Sequence, residues 1–355
     1  MTKQNIILSA GIEECLPDVI GEIDYDRLFV LTDEVTLQHC WPLVGPLPVF
    51  RGSRMITIGA TDENKNVESL CYVWTRLQQG GATRHSLLVN LGGGMVTDLG
   101  GFAASTFKRG FTYVNVPTTL LSMVDAAVGG KTGINFGGLK NEVGVFAPAR
   151  SVVLDTAFLR TLDKANVASG YAEMLKHGLI SDEKHWAELL NFDISDVDYG
   201  ALSRLVAKSV DVKERIVQED PKEEGIRKAL NLGHTVGHAF ESLALAEGRT
   251  VLHGYAVAWG LVCELYLSVR HLNFPRTKFY QTLQFIRENY GIFTFDCKQY
   301  ERLFELMTHD KKNMTSGEVN FTLLADIGDI RINQTAEKEE IFEMLDFYRE
   351  VMGGG

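Results

Sequence analysis

The hydrophobic positions of the chain change their period near residue 162. Before that point, short runs of β-branched and other apolar residues alternate with segments of helical periodicity. Strands that alternate with helices indicate a mostly parallel sheet covered by helices on both faces. The strand-like runs are residues 27–32, 55–59, 87–91, 113–116 and 151–154, and a helical pattern covers 67–79.

From residue 162 onward, apolar residues recur with helical spacing and strand signals are few. The boundary is a change of period and not a flexible linker. We therefore predict an α/β domain over residues 1–161 and an all-α domain over residues 162–355. The helical segments are 166–180, 199–218, 226–246, 254–271, 278–290 and 338–351, and one strand-like run covers 319–324.

Composition is that of a soluble globular protein, with 45% hydrophobic and 23% charged residues in 355. The net charge of −11 argues against a general nucleic-acid or membrane-binding surface, so neither partner is predicted. The five cysteines form no C-x-x-C pair, which argues against a disulfide framework or a thiolate zinc site. The N-terminus lacks a signal-peptide pattern, and we predict a cytoplasmic protein.

A glycine-rich turn follows the strand-like run 87–91. Gly92, Gly93 and Gly94 precede a predicted helix with Asp98 in its first turn, an arrangement in which backbone N–H groups and the helix dipole favour an anion. The dinucleotide fingerprint G-x-G-x-x-G is not met, and Asp125 stands where a Walker motif needs glycine. A tight turn alone is the alternative. The recurrence of glycine, lysine and threonine through residues 87–141 favours a Rossmann-like nucleotide-binding domain.

Histidines mark the helical half. His234 and His238 are four residues apart and share a helix face, and His253 follows fifteen residues later. Burying such side chains is costly unless they are hydrogen-bonded or bind a metal, so two bonded core histidines are the alternative. Zinc is the natural metal for imidazole and carboxylate ligands.

The third ligand remains open from spacing alone. Glu173 and His177 share one predicted helix, and Glu241 lies seven residues after His234. Several cations accompany these groups and indicate an anionic, phosphorylated substrate. They are Lys108, Arg109, Lys131, Lys140, Lys176, Lys213, Arg227, Lys311 and Lys312.

Seven motifs between residues 92 and 313 together resemble the 3-dehydroquinate synthases, sugar-phosphate cyclases of the shikimate pathway. The resemblance implies an NAD-binding α/β domain, a helical metal- and substrate-binding domain, and carbon–oxygen lyase activity. Members convert 3-deoxy-D-arabino-heptulosonate 7-phosphate to 3-dehydroquinate and phosphate by transient NAD oxidation, phosphate elimination, re-reduction, ring opening and aldol closure. The motifs are GGGMVTDLGGFAASTFKRG, VPTTLLSMVDAAVGGKTGIN, LKNEVGVF, GYAEMLKHG, ALNLGHTVGHAFE, LHGYAVAWG and HDKKN.

The resemblance also implies residue roles. Glu173, His234 and His253 would bind Zn²⁺ or Co²⁺, while His238 and Glu223 would transfer protons. The catalytic set would further include Lys131, Lys176 and Asp125. The residues implied to hold the substrate are Arg109, Asp125, Lys131, Asn141, Lys176, Lys213, Arg227, Asn231, His238 and Lys311 of the Lys311–Lys312 pair.

Arg109 in the family reaches the neighbouring subunit's site, which implies a homodimer. Three positions depart from the family: Thr97 replaces a glycine, Thr61-Asp62 replaces Gly-Glu, and Val35 replaces an asparagine. These departures bear on cofactor affinity. The residues implied to contact NAD are Gly92, Gly93, Gly94, Asp98, Thr118, Thr119, Lys140, Phe158 and Thr161, with Asp33, Asp62 and Lys65 near its adenosine half.

Three alternatives compete with this prediction. Another sugar-phosphate cyclase would differ at substrate positions such as Asn231 and His238, which are retained here. A metal-dependent polyol dehydrogenase would accumulate NADH, whereas the cyclase regenerates NAD in each turnover. A non-catalytic metal- and nucleotide-binding protein would bind the dinucleotide without releasing phosphate from a sugar phosphate.

Overall fold

The structure is a computed structural model that describes residues 4–308 and 319–353. The chain divides into two compact units, Met1–Asp163 and Lys164–Gly355. The predicted boundary after residue 161 lies two residues before this division. Within the described ranges, no helix combines the length and the apolar character needed to cross a membrane.

The first unit is built on a six-stranded sheet in the order β1-β8-β5-β4-β2-β3, with every neighbouring pair parallel. Strands β2, β4 and β8 are buried throughout, as expected for a parallel sheet covered on both faces. The strands are β1 (Asn5–Leu8), β2 (Leu28–Asp33), β3 (Arg54–Ile58), β4 (Leu87–Gly92), β5 (Thr112–Pro117), β6 (Lys131–Phe136), β7 (Leu139–Phe146) and β8 (Ser151–Leu154).

Five of these strands form a doubly wound arrangement. If β2, β3, β4, β5 and β8 are numbered 1 to 5, their order across the sheet is 2-1-3-4-5. In such sheets ligands bind at the carboxyl ends of the strands where the order reverses, which here lies between β2 and β4. Asp33 ends β2 and Gly92 ends β4. The helices of this unit are α1 (Ile12–Gly21), α2 (Glu34–His39), α3 (Trp41–Val44), α4 (Val67–Gln79) and α5 (Gly94–Thr106).

Strands β6 and β7 form a separate antiparallel hairpin, where only a glycine-rich segment was predicted. Gly137 and Gly138 connect the strands and have positive φ angles of 61° and 80°. Two such residues are what a tight hairpin turn requires. The hairpin carries Lys131, Lys140 and Asn141, so it positions several predicted site residues.

The second unit is helical, as predicted, and also contains one antiparallel hairpin. The strand-like run at 319–324 lies in its first strand, β9 (Val319–Asp326), and β10 is Asp329–Ala336. The helices are α6 (Lys164–Leu179), α7 (Glu183–Leu190), α8 (Tyr199–Glu219), α9 (His234–Ala246), α10 (His253–Leu272), α11 (Arg276–Tyr290), α12 (Tyr300–Thr308) and α13 (Lys338–Met352).

The predicted continuous helix over 226–246 was wrong. A 3₁₀ turn covers Ile226–Asn231, and α9 starts only at His234. Gly233 separates them with a left-handed φ of 79°. Because that conformation is not helical, the chain changes direction there, and His234 becomes the first residue of a new helix.

Candidate functional site

Glu173, His234 and His253 meet in the second unit. Glu173 comes from the middle of α6, while His234 and His253 are the first residues of α9 and α10. One ligand atom from each lies within 4.8 Å of the others. Oε1 of Glu173 is 3.3 Å from Nε2 of His234 and 3.4 Å from Nε2 of His253.

His234 has its tautomer fixed by the backbone. Its Nδ1 lies 3.1 Å from the carbonyl oxygen of Leu232, which can only accept, so Nδ1 carries the hydrogen. Burial, only partly opposed by Glu173, lowers the pKa of His234 to about 4. The neutral ring therefore turns a lone pair on Nε2 toward a carboxylate oxygen, an arrangement that a cation between them would stabilise.

His253 lies between two carboxylates. Its Nδ1 is 3.4 Å from Oε2 of Glu241, on the side away from Glu173. Burial alone would lower the pKa of His253, but Glu173 and Glu241 outweigh it and raise the pKa to about 10. A histidine whose outer nitrogen bonds to a carboxylate is the usual support for a metal-bound imidazole.

The Glu173 carboxylate is completely buried. Burial would raise its pKa, but Lys176 and then His234 hold the pKa well below its usual range. The Nζ of Lys176 donates to Oε2, whereas Oε1 has no hydrogen bond of good geometry to any of the described residues. Glu173 is therefore held ionised with Oε1 directed at the two imidazoles.

These three side chains fit a divalent metal. One carboxylate oxygen and two imidazole nitrogens are ligands that Zn²⁺ and Co²⁺ accept, and three protein ligands leave a coordination position for substrate. The Oε1 of Glu173, which lacks a hydrogen-bond partner within residues 4–308 and 319–353, is the buried polar atom that such an ion would satisfy.

Of the candidates for the third ligand, Glu173 is the one that joins His234 and His253. Glu241 instead lies against the outer nitrogen of His253. His238 has its ring 5.4 Å from that of His234 and 5.9 Å from that of His253, centroid to centroid. It lies beside the cluster and outside the group of converging ligand atoms.

Arg227, Asn231 and Glu223 lie in the segment between α8 and α9, and Lys213 lies on α8 itself. Arg227 is 2% exposed, and its Nη1 donates to the carbonyl of Pro221 at 2.8 Å. Asn231 donates to Oε1 of Glu223 at 3.0 Å. Lys213 on α8 is 5% exposed. Arg227 and Lys213 thus bring positive charge into the interior of the unit.

In the first unit, the glycine turn is tightly packed. A Cβ added to Gly92 would lie 2.6 Å from Val96, one on Gly94 would lie 3.1 Å from Ala126, and one on Gly93 would lie 3.2 Å from Thr119. The chain passes from β4 into α5 through Gly93, and no side chain caps this helix start in the described part of the chain. Its first N–H groups are those that an anion would satisfy.

Lys65 links three parts of the first unit. Its Nζ donates to Oδ2 of Asp98 and to Oδ1 of Asn141, each at 2.5 Å, although the residue is only 4% exposed. On the surface, Nζ of Lys140 lies 3.5 Å from Oδ2 of Asp62. The structure therefore joins residues predicted for cofactor and for substrate in one network.

Asp33 uses Oδ1 to accept from the backbone N–H of Thr36 at 2.7 Å, which caps α2. Arg109 is exposed and has a positive φ of 69°. The others lie as follows: Asp125 in a π turn, Lys131 exposed at the start of β6, Thr118 and Phe158 buried, Thr119 and Thr161 half-buried, and Lys311 with Lys312 outside the described residues.

The three departures from the family lie at the same end of the sheet. Thr97 is 1% exposed, and its hydroxyl donates to the carbonyl of Gly94 at 3.1 Å, so it is bonded within α5. Val35 is 55% exposed. Asp62 accepts from Asn135 at 3.3 Å in addition to facing Lys140.

Sequence reasoning missed Glu264 on α10. Its side chain is completely buried, and its two oxygens accept from the backbone N–H groups of Gly233 and Val236 at the start of α9. A signal was available, since Glu264 is the one acid in the stretch AWGLVCELYL. A charged residue in a buried apolar helix needs a partner.

Solved structures share this fold along nearly the whole chain. The 2-epi-5-epi-valiolone synthase ValA of Streptomyces hygroscopicus superposes with a TM-score of 0.87 at 24% identity, covering 99% of this chain and 98% of that one. A 2-deoxy-scyllo-inosose synthase gives 0.84 at 23% identity, with 99% and 97% covered. Maleylacetate reductase from Agrobacterium tumefaciens gives 0.69 at 15%, with 99% and 97% covered. The fold is thus that of this class of cyclases and reductases.

Sequence comparison identifies the family, whereas the structural similarity defines only the fold. Residues 55–169 match the family model described as 3-dehydroquinate synthase N-terminal, and residues 170–313 match the C-terminal one. The 3-dehydroquinate synthase of Parabacteroides distasonis is 55% identical over 99% of this chain and 100% of its own. That of Oceanobacillus iheyensis is 37% identical, over 96% and 95%. The chain belongs to the 3-dehydroquinate synthase family, which confirms the predicted resemblance.

Proposed function

We propose that the chain converts 3-deoxy-D-arabino-heptulosonate 7-phosphate to 3-dehydroquinate and phosphate, with NAD and one divalent metal ion as cofactors. The observation that carries this proposal is the meeting of Glu173, His234 and His253, with His238 beside them, in a member of this family. Two structural relatives support the cofactors: ValA was solved with NAD⁺ and Zn²⁺, and 2-deoxy-scyllo-inosose synthase with NAD⁺ and Co²⁺.

Glu173, His234 and His253 would hold the metal, which supplies Lewis-acid polarisation of a substrate oxygen when bound. Lys176 keeps the Glu173 carboxylate ionised through Oε2, so Oε1 stays available. Glu241 orients the ring of His253 through Nδ1. These contacts fix the ligand atoms before any metal arrives, which reduces the reorganisation needed to bind it.

Protons would be moved by His238 and Glu223. The imidazole of His238 is partly exposed and lies beside the proposed ligands, and an imidazole has both a donor and an acceptor nitrogen for proton transfer. Glu223 is held by Asn231 through its Oε1, and this bond fixes the direction of the carboxylate. Removal of the proton next to the transient ketone and delivery to the departing phosphate are the steps that need such groups.

NAD supplies a hydride acceptor that returns the hydride within the same turnover. The N–H groups at the start of α5, beyond Gly92, Gly93 and Gly94, would bind its pyrophosphate. Asp33, Asp62, Lys65, Asp98, Thr118, Thr119, Lys140, Phe158 and Thr161 would contact the rest of the cofactor.

The substrate carries a carboxylate and a phosphate, and cationic side chains would bind these ends. Arg227 and Lys213 are buried, so their charges are little screened by solvent. The other residues proposed to hold the substrate are Arg109, Asp125, Lys131, Asn141, Lys176, Asn231, His238 and Lys311.

The protein is also proposed to be a cytoplasmic homodimer, with Arg109 contributed to the neighbouring subunit. The exposed position of Arg109 supports that role. All five cysteines are free thiols, which fits a reducing compartment.

The proposal is tested by measuring phosphate, 3-dehydroquinate and NADH in one reaction, with NAD well below the substrate concentration. We expect phosphate and 3-dehydroquinate in equal amounts, many turnovers per NAD, and no accumulation of NADH. Stoichiometric NADH would instead identify a dehydrogenase. Absence of phosphate release with NAD and metal present would direct the assay to other sugar phosphates.

A further inference from the structure

Glu264 lies eleven positions after His253 on α10, which is about three helical turns. The residue is completely buried. Its Oε2 accepts from the N–H of Gly233 at 2.6 Å, and its Oε1 accepts from the N–H of Val236 at 3.2 Å. One carboxylate on α10 therefore accepts hydrogen bonds from two backbone N–H groups at the start of α9.

The start of α9 needs this partner because its own sequence cannot supply a cap. Gly233 occupies the N-cap position and has no side chain to accept the first N–H groups. A larger residue does not fit there, because a Cβ on Gly233 would lie 2.8 Å from Leu261. Helix α10 approaches so closely that a Cβ on Gly260 would lie 2.0 Å from the carbonyl oxygen of Gly233.

Leaving these buried N–H groups unpaired would destabilise the start of the helix, because a buried donor without an acceptor loses its hydrogen bond to water and gains none in return. Glu264 satisfies two of them at once, and the positive end of the α9 dipole stabilises its negative charge. The two hydrogen bonds therefore connect α10 firmly to the first turn of α9. Helix packing alone would leave the first turn of α9 freer to shift along α10.

The hydrogen bonds of Glu264 fix the position of His234. It is the first residue of α9 and lies between the two N–H groups that Glu264 binds. Its Nδ1 is bonded to Leu232, just before the same turn. Any movement of this turn would displace Nε2 relative to Oε1 of Glu173 and to His253, which starts the helix that carries Glu264.

We propose that Glu264 is a positioning residue for the metal site. It acts through the backbone of α9 and sets the separation of His234 and His253. This inference rests on the proposed metal ligation by Glu173, His234 and His253. It adds that part of the metal affinity and the coordination geometry depend on a carboxylate that is not itself a ligand.

The test uses Glu264→Gln in the full chain with Co²⁺ as the probe. The amide can accept with its oxygen only, and its NH₂ group would face a second N–H donor. We expect Co²⁺ affinity, measured by competition with a chelator, to fall about 10–100-fold, the range typical for residues that support metal ligands. The visible absorption of bound Co²⁺ should also change, because the ligand geometry changes.

Thr282→Val is the matched control. It removes a buried hydroxyl on α11 that accepts from Nε1 of Trp186 at 3.1 Å, and neither residue belongs to α9 or α10. This variant should lose stability and keep the wild-type Co²⁺ affinity and spectrum. Glu264→Asp provides a second variant if Glu264→Gln does not fold, and its affinity should lie between those of the wild type and Glu264→Gln.

Two results would overturn the inference alone: wild-type affinity and spectrum in a folded Glu264 variant, or equal changes in Thr282→Val. A wild-type protein that binds no Co²⁺ would instead overturn the proposed metal site, and this inference with it. Unchanged stoichiometry with weaker binding and an altered spectrum is the result expected.

Discussion

In the second unit, ionisable side chains from three helices converge in the interior, whereas the first unit presents its predicted cofactor residues at strand ends and on a hairpin. Glu173 is 0% exposed and His234 is 8% exposed. Lys140 and Asn141, by contrast, lie on strand β7, all of whose residues are exposed. The proposed metal ligands are held by buried charges, whereas the proposed cofactor residues rely on backbone N–H groups and a few side-chain bonds.

This difference bears on how each region responds to substitution. A change in the second unit leaves a buried charge or lone pair without its partner, so the cost is large. A change at an exposed position in the first unit can be compensated by water. Lys65 is the exception there, because it is buried and bonded to both Asp98 and Asn141.

The largest effect is expected for His253→Ala. It removes one of three proposed ligands, so the purified protein should lose its metal, and activity should fall by at least about a thousandfold, since Lewis-acid stabilisation is worth several kcal/mol. His238→Ala is the matched comparison on the adjacent ring. It should retain one metal per chain and lose about 10²–10⁴-fold in kcat. Metal content and kcat are measured on both variants.

Loss of metal from His238→Ala with retention in His253→Ala would reverse the proposed ligand assignment. Circular dichroism of each variant verifies the helical content, so that unfolding is not mistaken for loss of a ligand.

Glu241→Ala should have the next largest effect. The outer nitrogen of His253 loses its carboxylate partner, so metal affinity should fall about 10–100-fold while the metal still binds at saturation. Glu247→Ala, at the end of α9, removes an acid that bonds to Arg249 on the surface, and metal affinity should not change. Equal affinities in the two variants would show that Glu241 gives His253 no support.

Lys65→Met should act on the cofactor end alone. It leaves the Asp98 carboxylate without its buried cation, and a charge-assisted bond is worth about 1.5–3 kcal/mol. The KM for NAD should rise about tenfold or more with unchanged metal content. The control Arg27→Met breaks an exposed ion pair with Asp26 and should leave KM unchanged. Metal loss from Lys65→Met would contradict the separation of the two regions.

Sequence patterns predicted elements well where period and burial agree. The helix over 67–79 and the strand over 151–154 have the predicted bounds, because one keeps a helical period throughout and the other is a short run buried at every position. The break before His234 was not predicted, because it depends on the left-handed Gly233 and on Glu264 from another helix. The hairpin of β6 and β7 was missed although Gly137-Gly138 is a recognisable turn.

The proposed metal ligands also could not be predicted from sequence spacing alone. Spacing placed His234 and His238 on one helix face but did not show which histidines bind a metal, and it left Glu173, His177 and Glu241 open as the third ligand. A tertiary arrangement decides which atoms converge, and only the family resemblance singled out Glu173 and His253 before the structure did. For Glu264 the sequence gives one signal, a single acid in the apolar stretch AWGLVCELYL, but not its partners, because these are backbone N–H groups of another helix.

The most direct test of the account is metal titration of the chelator-stripped protein, with phosphate release from 3-deoxy-D-arabino-heptulosonate 7-phosphate measured at saturating NAD. If Glu173, His234 and His253 form the one catalytic metal site, phosphate release should be absent without metal. It should then rise in proportion to added Zn²⁺ or Co²⁺ and level off at one equivalent per chain. Full phosphate release by the metal-free protein would contradict the account.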